Sequence, residues 1–345
     1  MLTLEWDDKI SNLILIDQRL LPAQLTYYKC KDLSTTSYAI KNMVVRGAPA
    51  IGATAAFGMV LAAIESTKRN SKNIKNDLKL ASQALFDTRP TAVNLKWALD
   101  KMMSEVNAYK GDDLVKHLLH FAKSIAIEDI ETNKKMASFG DVLISDGDTI
   151  IHHCNTGSLA AVDYGTALGV IRMSHENGKN IRVFVDETRP RLQGARLTAW
   201  ELEQYGIPYN VIVDGAAGYF LNSGEINKVF FGADRVVANG DVANKIGTYM
   251  LSLSAYTNNV PVYCVAPSST FDLAIQSGRD IPIEERNAEE VSGILINDRS
   301  AYPENASVRN PAFDITPNKY ISAFVTEKGI IYPPFNENIR KVLKN

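Results

Sequence analysis

The sequence predicts an α/β protein in which a mostly parallel sheet follows a smaller, mainly helical N-terminal region. Short β-rich runs alternate with helical runs beyond Gly147, whereas the first 125 or so residues carry helical signals without a clear series of strands. A chain of 345 residues is also long enough for two domains. We therefore expect a helical domain at 1–125, a connecting helix at 126–146 and a sheet domain at 147–345.

Each element is predicted from hydrophobic periodicity. In the N-terminal region a helix is expected at 73–85, where apolar residues recur at three- and four-residue spacing. The expected strands lie at 149–153, 181–185, 209–213, 229–231, 260–265 and 320–325. Helices are expected between them, for example at 193–205 and 242–256. Such alternation implies a parallel sheet covered on both faces.

Composition excludes several classes of function. The formal net charge is −2, so no global field is available to hold nucleic acid or an anionic membrane. The long uncharged run 47–64 contains Pro49 and three glycines, and we interpret it as a loop that leads into a buried helix. The three cysteines are far apart and odd in number, which favours a reducing compartment, and no secretory signal is visible. We expect a cytoplasmic protein.

Polar side chains follow the predicted strands, at the edge where parallel sheets bind ligands. They are Cys154, Asp186 with Glu187, Asp214 and Asp234. Each carboxylate could instead cap the next helix or form a turn, and Asp214, directly before Gly215, most resembles a cap.

Cys154 lies in the run His152-His-Cys-Asn-Thr-Gly-Ser158, which we interpret as a strand-to-helix turn. Free N–H groups at such a turn would lower the pKa of a thiol, so Cys154 could exchange protons or act as a nucleophile. It could also be a buried structural cysteine, the role that we expect for Cys264. A metal site formed with His152 and His153 is disfavoured because adjacent strand residues point to opposite faces.

Arg46-Gly-Ala-Pro-Ala-Ile-Gly52 places a basic residue before a glycine-rich turn and an apolar helix, an arrangement that could bind phosphate. The sequence has neither a Walker loop nor a Gly-x-Gly-x-x-Gly fingerprint, so nucleotide-dependent chemistry is not favoured.

Asp234 follows a strongly apolar strand, and burial there would raise the pKa of its carboxyl as a general acid requires, unless Arg235 stabilises the charge. Asn244 and Lys245 would lie in the first turn of the helix expected at 242–256 and could hold phosphate or sugar hydroxyls there.

Together these segments resemble the methylthioribose-1-phosphate isomerase family of methionine salvage. The matching motifs are Asp17-Gln-Arg-Leu-Leu-Pro22, Arg46 to Gly52, Thr88-Arg-Pro-Thr-Ala-Val-Asn-Leu95, His153 to Ser158, Asp186-Glu-Thr-Arg-Pro-Arg-Leu-Gln-Gly-Ala-Arg196, Gly232 to Arg235, Ala238 to Gly247 and Ile281 to Arg286. The resemblance covers nearly the whole chain.

The resemblance implies a helical N-terminal domain on a Rossmann-like domain, a homodimer, and a site between the domains that needs no cofactor or metal. It implies that Cys154 and Asp234 are the catalytic pair. The substrate-binding residues that it implies are Arg46, Gly47, Ala48, Arg89, Gln193, Asn244 and Lys245. Regulatory relatives, subunits of the exchange factor for translation initiation, would not be expected to keep both catalytic residues.

The implied substrate carries phosphate on its anomeric oxygen, so its ring does not open as in an ordinary aldose. We expect a protonated Asp234 to donate to the ring oxygen and Cys154 to assist hydrogen transfer from carbon 2 to carbon 1, as a proton or as a hydride. Alternatives are isomerisation of ribose 1,5-bisphosphate or a 5-deoxyribose 1-phosphate, and a non-catalytic regulatory subunit.

Overall fold

The computed structural model of the protein describes residues 1–90 and 92–344. Thr91, within the motif that contains Arg89, lies outside the described residues. The chain forms two compact units. The first contains Met1–Asn133 and Thr156–Gly165, and the second contains the rest of the described chain. The expected domain boundaries at residues 125 and 146 stay a prediction.

The first unit begins with a small antiparallel sheet, which the sequence analysis did not predict. Its strands are β1 (Leu4–Asp7), β2 (Asn12–Ile16) and β3 (Tyr27–Cys30), in that order. The sequence analysis found no clear series of strands here, and the structure adds this three-stranded sheet to a mainly helical region. Runs of four or five residues are too short to show a convincing period of two, although Leu4 and Trp6 are buried in alternation with less buried neighbours.

Helices form most of the first unit, as expected. They are α1 (Leu33–Lys41), α2 (Ala48–Lys68), α3 (Ile74–Phe86), α4 (Val93–Ala108) and the start of α5 (Leu114–Asp141). The helix predicted at 73–85 is confirmed as α3.

Helix α2 is the centre of this unit. Most of its residues are buried, and they form one apolar cluster with side chains of the small sheet, α3 and α4. Among the described residues it is the one helix long and apolar enough to cross a membrane, but 78% of its most apolar stretch is buried inside the protein. The prediction of a loop leading into a buried core helix is confirmed.

The second unit is built on a mostly parallel sheet. Its strands are β4 (Thr149–His152), β5 (Arg182–Asp186), β6 (Tyr209–Ile212), β7 (Lys228–Phe231), β10 (Val262–Val265), β15 (Ala323–Thr326) and β16 (Gly329–Ile331). Their order is β16-β15-β10-β7-β4-β5-β6, with only β16 antiparallel to its neighbour within the described residues. The six strands predicted from the sequence are all present in this sheet.

Helices cover both faces of this sheet, as the α/β prediction requires. Along β7, Val229 and Phe231 point into one apolar cluster while Phe230 points into another. The first cluster contains residues of α8 (Ala217–Asn222), α9 (Thr248–Thr257) and α11 (Phe335–Lys344). The second contains residues of the end of α5, α6 (Ala167–Glu176) and α7 (Ala199–Tyr205). Alternating side chains thus build a core on each face.

The helix predicted at 242–256 is partly wrong. Val242–Lys245 is a buried strand, β9, which pairs with β8 (Arg235–Val237) on one side and β14 (Phe313–Thr316) on the other. Gly247, with a φ of 104°, ends this extended stretch, and α9 begins only at Thr248. A turn joins β9 to β8, whereas β14 is distant from it in sequence. Pairing with these two strands outweighs the helical pattern of the sequence.

The helix expected at 193–205 starts with a π-helical segment, Gly194–Thr198, before α7 begins. A side chain at Gly194 would overlap the carbonyl oxygen of Asp186, so only glycine permits this close approach of the chain to β5. The helix ends at Gly206 in the left-handed conformation, as the sequence predicts.

Two smaller strand groups complete the second unit. Strand β11 (Phe271–Asp272) lies beside β8, which extends the sheet of β8, β9 and β14 to the order β11-β8-β9-β14. A separate hairpin joins β12 (Leu295–Ile296) and β13 (Arg299–Ser300), and it follows the short helix α10 (Glu289–Ser292).

Candidate active site

Four of the predicted substrate-binding residues belong to the first unit. Gly47 is the N-cap of α2 and has a φ of 94°, and a side chain there would overlap the backbone of Ala160. Arg46 precedes it, and Ala48 opens the helix. Gly47 has no side chain to cap α2, and the first N–H groups of a helix point toward its N-terminal end, where an anion could accept from them.

Arg89 lies in the loop between α3 and α4. The first turn of α4 packs on the second turn of α2, where a side chain at Gly52 would stand 3.0 Å from the carbonyl oxygen of Asn94. The loop that contains Arg89 ends at the start of α4, and this part of α4 packs near the start of α2. This placement within the first unit fits a phosphate site that uses both Arg46 and Arg89.

Cys154, two residues after β4, is held in an unusual backbone conformation in the second unit. Its φ is 66°, in the left-handed region, and the residue is only 8% exposed. Its N–H donates to the hydroxyl of Thr188 over 2.9 Å, and its carbonyl accepts from the hydroxyl of Thr198 over 2.7 Å. The thiol is therefore carried by a fixed backbone at the carboxyl edge of the sheet.

The strand-to-helix turn predicted at Cys154 is wrong in one respect. The chain continues into a three-residue 3-10 segment, Ser158–Ala160, and the next α-helix, α6, begins only at Ala167. A helix N-terminus next to the thiol, which we expected to lower its pKa, is absent from the described residues that follow β4. The glycines and the turn signals of this run form a longer loop instead.

His153 is fixed by acceptors on both sides of its ring. Nδ1 lies 2.8 Å from a carboxylate oxygen of Asp186, and Nε2 lies 3.0 Å from the carbonyl oxygen of Ile246. Burial by itself lowers the pKa of His153, but the hydrogen bond to Asp186 and its charge outweigh burial and raise it. A carbonyl oxygen only accepts, so Nε2 carries hydrogen, and the ring links the end of β5 to the chain after β9.

Within residues 1–90 and 92–344, one group of three side chains lies close enough to hold a metal, namely His153, Asp186 and Asp214. Both ring nitrogens of His153 already face hydrogen-bond acceptors, and both carboxylate oxygens of Asp214 accept N–H groups, from Thr188 and Arg189 at 2.7 Å each. These four atoms are occupied by hydrogen bonds, whereas Oδ1 of Asp186 is buried without a hydrogen-bond partner among the described residues. His153 and Asp214 therefore serve a hydrogen-bond network in this structure. Asp214 fixes the loop after β5 and does not cap its own helix, contrary to prediction.

Gln193 lies close to this loop. It is 8% exposed, and its Oε1 atom is buried without a hydrogen-bond partner among the described residues. A buried acceptor without a donor is costly, so an unfilled acceptor here fits a residue that receives a hydrogen bond from a bound sugar hydroxyl.

Asp234 and Asn244 are brought together by the four-stranded sheet β11-β8-β9-β14. Asp234 precedes β8, and its N–H donates to the carbonyl oxygen of Ala243 over 3.0 Å, next to Asn244 on β9. The Asn244 amide donates to the Thr248 hydroxyl over 3.0 Å. The Asp234 side chain is exposed in this structure, so the prediction of an apolar setting for it was wrong. The apolar strand before it buries Phe231, but β7 ends there, and Asp234 lies outside the strand.

Lys245 is buried at the end of β9, not in a helical turn as predicted. Its ammonium group donates to the carbonyl oxygen of Ala312 over 3.0 Å and stands 4.8 Å from the centre of the Phe313 ring. These contacts hold the cation at the strand end, where it could meet an anion.

Cys154 and Asp234 follow neighbouring parallel strands. In the register of β4 and β7, His152 pairs with Phe230, so Cys154 comes two residues and Asp234 four residues after a paired position. Adjacent strands lie about 4.8 Å apart, and ligands of such sheets bind at this carboxyl edge.

Several functional contacts were not predicted from the sequence. Thr188, Thr198 and the pairing of His153 with Asp186 depend on which loops meet after folding. The signal that could have pointed to them is their position after β4 and β5, in the runs already selected around Cys154 and Asp186. The buried structural position expected for Cys264 is confirmed. His152 is fully buried as well. Burial and the nearby His153 lower the pKa of His152 to about 3.

Comparison with known proteins shows the family of the chain. Residues 44–333 match the model of the Initiation factor 2 subunit family. The chain is 52% identical, over 345 residues that cover 99% of it and 98% of the relative, to methylthioribose-1-phosphate isomerase 2 of Pseudothermotoga lettingae.

Two crystal structures are similar over almost their whole length. One is 5-methylthioribose 1-phosphate isomerase from Pyrococcus horikoshii, with a TM-score of 0.93, 42% identity and coverage of 99% of this chain and 96% of that one. The other is translation initiation factor eIF-2B, subunit delta, from A. fulgidus, with a TM-score of 0.90, 43% identity and full coverage of both chains. The chain belongs to the methylthioribose-1-phosphate isomerase family, within the broader initiation factor 2 subunit family.

Proposed function

We propose that this chain converts 5-methylthioribose 1-phosphate to 5-methylthioribulose 1-phosphate in methionine salvage. Relatives about half identical over the full length carry the name of this isomerase. The observation that carries the proposal is the placement of Cys154 and Asp234 after the neighbouring strands β4 and β7. A thiol and a carboxyl there could act on adjacent atoms of one sugar ring.

In the mechanism that we propose, protonated Asp234 gives its proton to the ring oxygen, and the bond between that oxygen and carbon 1 breaks. The hydrogen on carbon 2 moves to carbon 1, either through Cys154 as a proton or directly as a hydride. The hydroxyl of carbon 2 loses its proton to become the ketone, and Asp234 recovers it. Because Asp234 is exposed in this structure, bound substrate itself would have to supply the apolar setting that favours its protonated form.

Within the first unit, substrate binding is assigned to Arg46, Gly47, Ala48 and Arg89. Within the second unit, it is assigned to Asn244 and Lys245. Gln193 is assigned to the sugar hydroxyls, since its buried Oε1 atom lacks a donor within the described residues. The reaction needs neither a cofactor nor a metal in this scheme.

A second candidate is a regulatory role. The similar A. fulgidus structure is named as a subunit of eIF-2B, so the fold alone does not separate the two functions. The presence of both Cys154 and Asp234 favours the enzyme.

We also propose that the protein is a cytoplasmic homodimer. None of its three cysteines forms a disulfide bond within the described residues, which suits a reducing compartment. Strand β6 is an edge strand of the main sheet, and Val211 within it and Val213 just after it are exposed. Tyr219 on α8 and Met250 on α9 are also exposed. An uncharged edge strand beside exposed apolar side chains is typical of a surface that a second copy covers.

The substrate is tested by assaying the purified chain with 5-methylthioribose 1-phosphate, ribose 1,5-bisphosphate and 5-deoxyribose 1-phosphate side by side. We expect the highest kcat/KM for the methylthio sugar, with ketose formation followed by NMR. Preference for the bisphosphate would contradict the assignment of the substrate.

A further inference from the structure

Two buried threonines hold the backbone of Cys154 from opposite sides. Thr188 and Thr198 are both 0% exposed, and both contact Cys154 through their hydroxyl groups. We infer that this pair, the threonine clamp, fixes the position of the Cys154 thiol for hydrogen transfer. The inference rests on the proposed function of Cys154 and adds two positioning residues to it.

The direction of each hydrogen bond in the clamp is defined. The Thr188 hydroxyl donates to the carbonyl oxygen of Asp186 over 2.9 Å, which leaves its lone pairs to accept the N–H of Cys154. The Thr198 hydroxyl donates to the Cys154 carbonyl and accepts from the amide of Asn155 over 3.2 Å. Each hydroxyl therefore acts as donor and acceptor at once, and an apolar side chain of the same shape could replace neither.

Backbone strain shows that the clamp does more than fill the core. Cys154 and Thr188 both lie in the left-handed region, with φ values of 66° and 62°. This region is unfavourable for any residue with a Cβ atom and especially for a β-branched one. Such residues persist where the surrounding contacts hold them, and they concentrate at functional sites.

The strained loop around Thr188 is itself supported. The carboxylate of Asp214 accepts the N–H groups of Thr188 and Arg189, each over 2.7 Å. Through these hydrogen bonds, the position of Cys154 depends on the positions of β5 and of the segment after β6. In a relaxed backbone the Cβ–Sγ bond of Cys154 would point in another direction, because rotation about φ moves Cβ.

The test compares Thr188→Val with Thr188→Ser. Valine keeps the shape but removes the hydroxyl, and we expect kcat for the methylthio sugar phosphate to fall tenfold to a hundredfold with KM changed less than threefold. Serine keeps the hydroxyl and restores kcat to within about threefold of the unsubstituted protein. The matched control is Thr326→Val, because Thr326 is also fully buried and its hydroxyl also donates to a carbonyl, of Gly329, and accepts an N–H, of Lys328.

A second readout separates this inference from the proposed role of Cys154. The alkylation rate of Cys154 by iodoacetamide, measured by mass spectrometry at a pH where the thiol is ionised, should rise at least threefold in Thr188→Val and stay unchanged in Thr326→Val. If Thr188→Val does not fold, Thr198→Val carries the same test from the carbonyl side. Unchanged kcat and unchanged alkylation would overturn the clamp. Changed alkylation with unchanged kcat would retain the clamp and remove Cys154 from the catalytic step.

Discussion

At the scale of single residues, the site combines a buried histidine with side chains at the sheet edge. His153 has Asp186 on one ring nitrogen and a carbonyl on the other; burial lowers the pKa of His153, but the hydrogen bond to Asp186 and its charge raise it, while burial raises the pKa of Asp186. The Ile246 carbonyl that it holds directly follows Lys245. The imidazole ring of His153, the residue before Cys154, therefore lies against the chain just after the strand that carries Asn244 and Lys245.

The proposed phosphate contacts are tested by Arg89→Ala and Lys245→Ala. Each removes one charge-assisted contact, and we expect affinity for the sugar phosphate to weaken by roughly 1.5 to 3 kcal/mol. Calorimetric titration with the equilibrium mixture of aldose and ketose measures the change. Lys96→Ala is the control, because Lys96 is exposed on α4 and pairs with Asp100. Equal affinity in all three variants would remove both residues from the phosphate site.

Residue types at strand ends were the part of the site that the sequence could predict. Cys154, Asp186, Asp214 and Asp234 were selected because parallel strands present their carboxyl ends to ligands. Asp186 is the last residue of β5, and the other three follow strands of the second unit. The burial of Asp234 and the partners of Cys154 could not be predicted in the same way. Both depend on which loops meet in three dimensions, and left-handed backbone at a threonine contradicts its intrinsic preference.

At the scale of elements, the contrast between β4 and β9 shows where sequence patterns are sufficient. β4 and its neighbours in the main sheet are short apolar runs bounded by turn signals, and their buried side chains on both faces make that pattern strong. β9 carries Asn244 and Lys245 among small residues, so its pattern resembles a helix start. Its pairing with β14, some 70 residues away in sequence, decides its conformation.

The β6 edge provides the prediction at this scale. Val211 and Val213 lie two residues apart, at the end of β6, and both side chains are exposed. Lysines at these positions would place charges in a contact with a second copy, and burying those charges would cost free energy. We expect Val211→Lys with Val213→Lys to be a folded monomer, and the unsubstituted chain to be a dimer, in sedimentation equilibrium. Tyr332→Lys, after β16 at the opposite edge, is the control and should remain a dimer. A dimer in the double variant would place the interface elsewhere.

At the scale of the whole molecule, the same fold is compatible with two functions. Similar crystal structures are named as an isomerase and as an initiation-factor subunit, with TM-scores of 0.93 and 0.90. Overall architecture therefore does not decide between them. What favours the enzyme is local: a strained cysteine at the end of β4 and a carboxyl that follows the adjacent β7.

The most direct test of the central claim measures turnover and binding together in Cys154→Ser and Asp234→Asn. If the two residues carry the isomerisation, both variants should bind 5-methylthioribose 1-phosphate with affinity close to that of the unsubstituted chain, and Asp234→Asn should lose turnover by a factor of about a hundred or more. Cys154→Ser should lose turnover as well. Near-normal turnover in both variants, or no turnover in the unsubstituted chain, would contradict the claim.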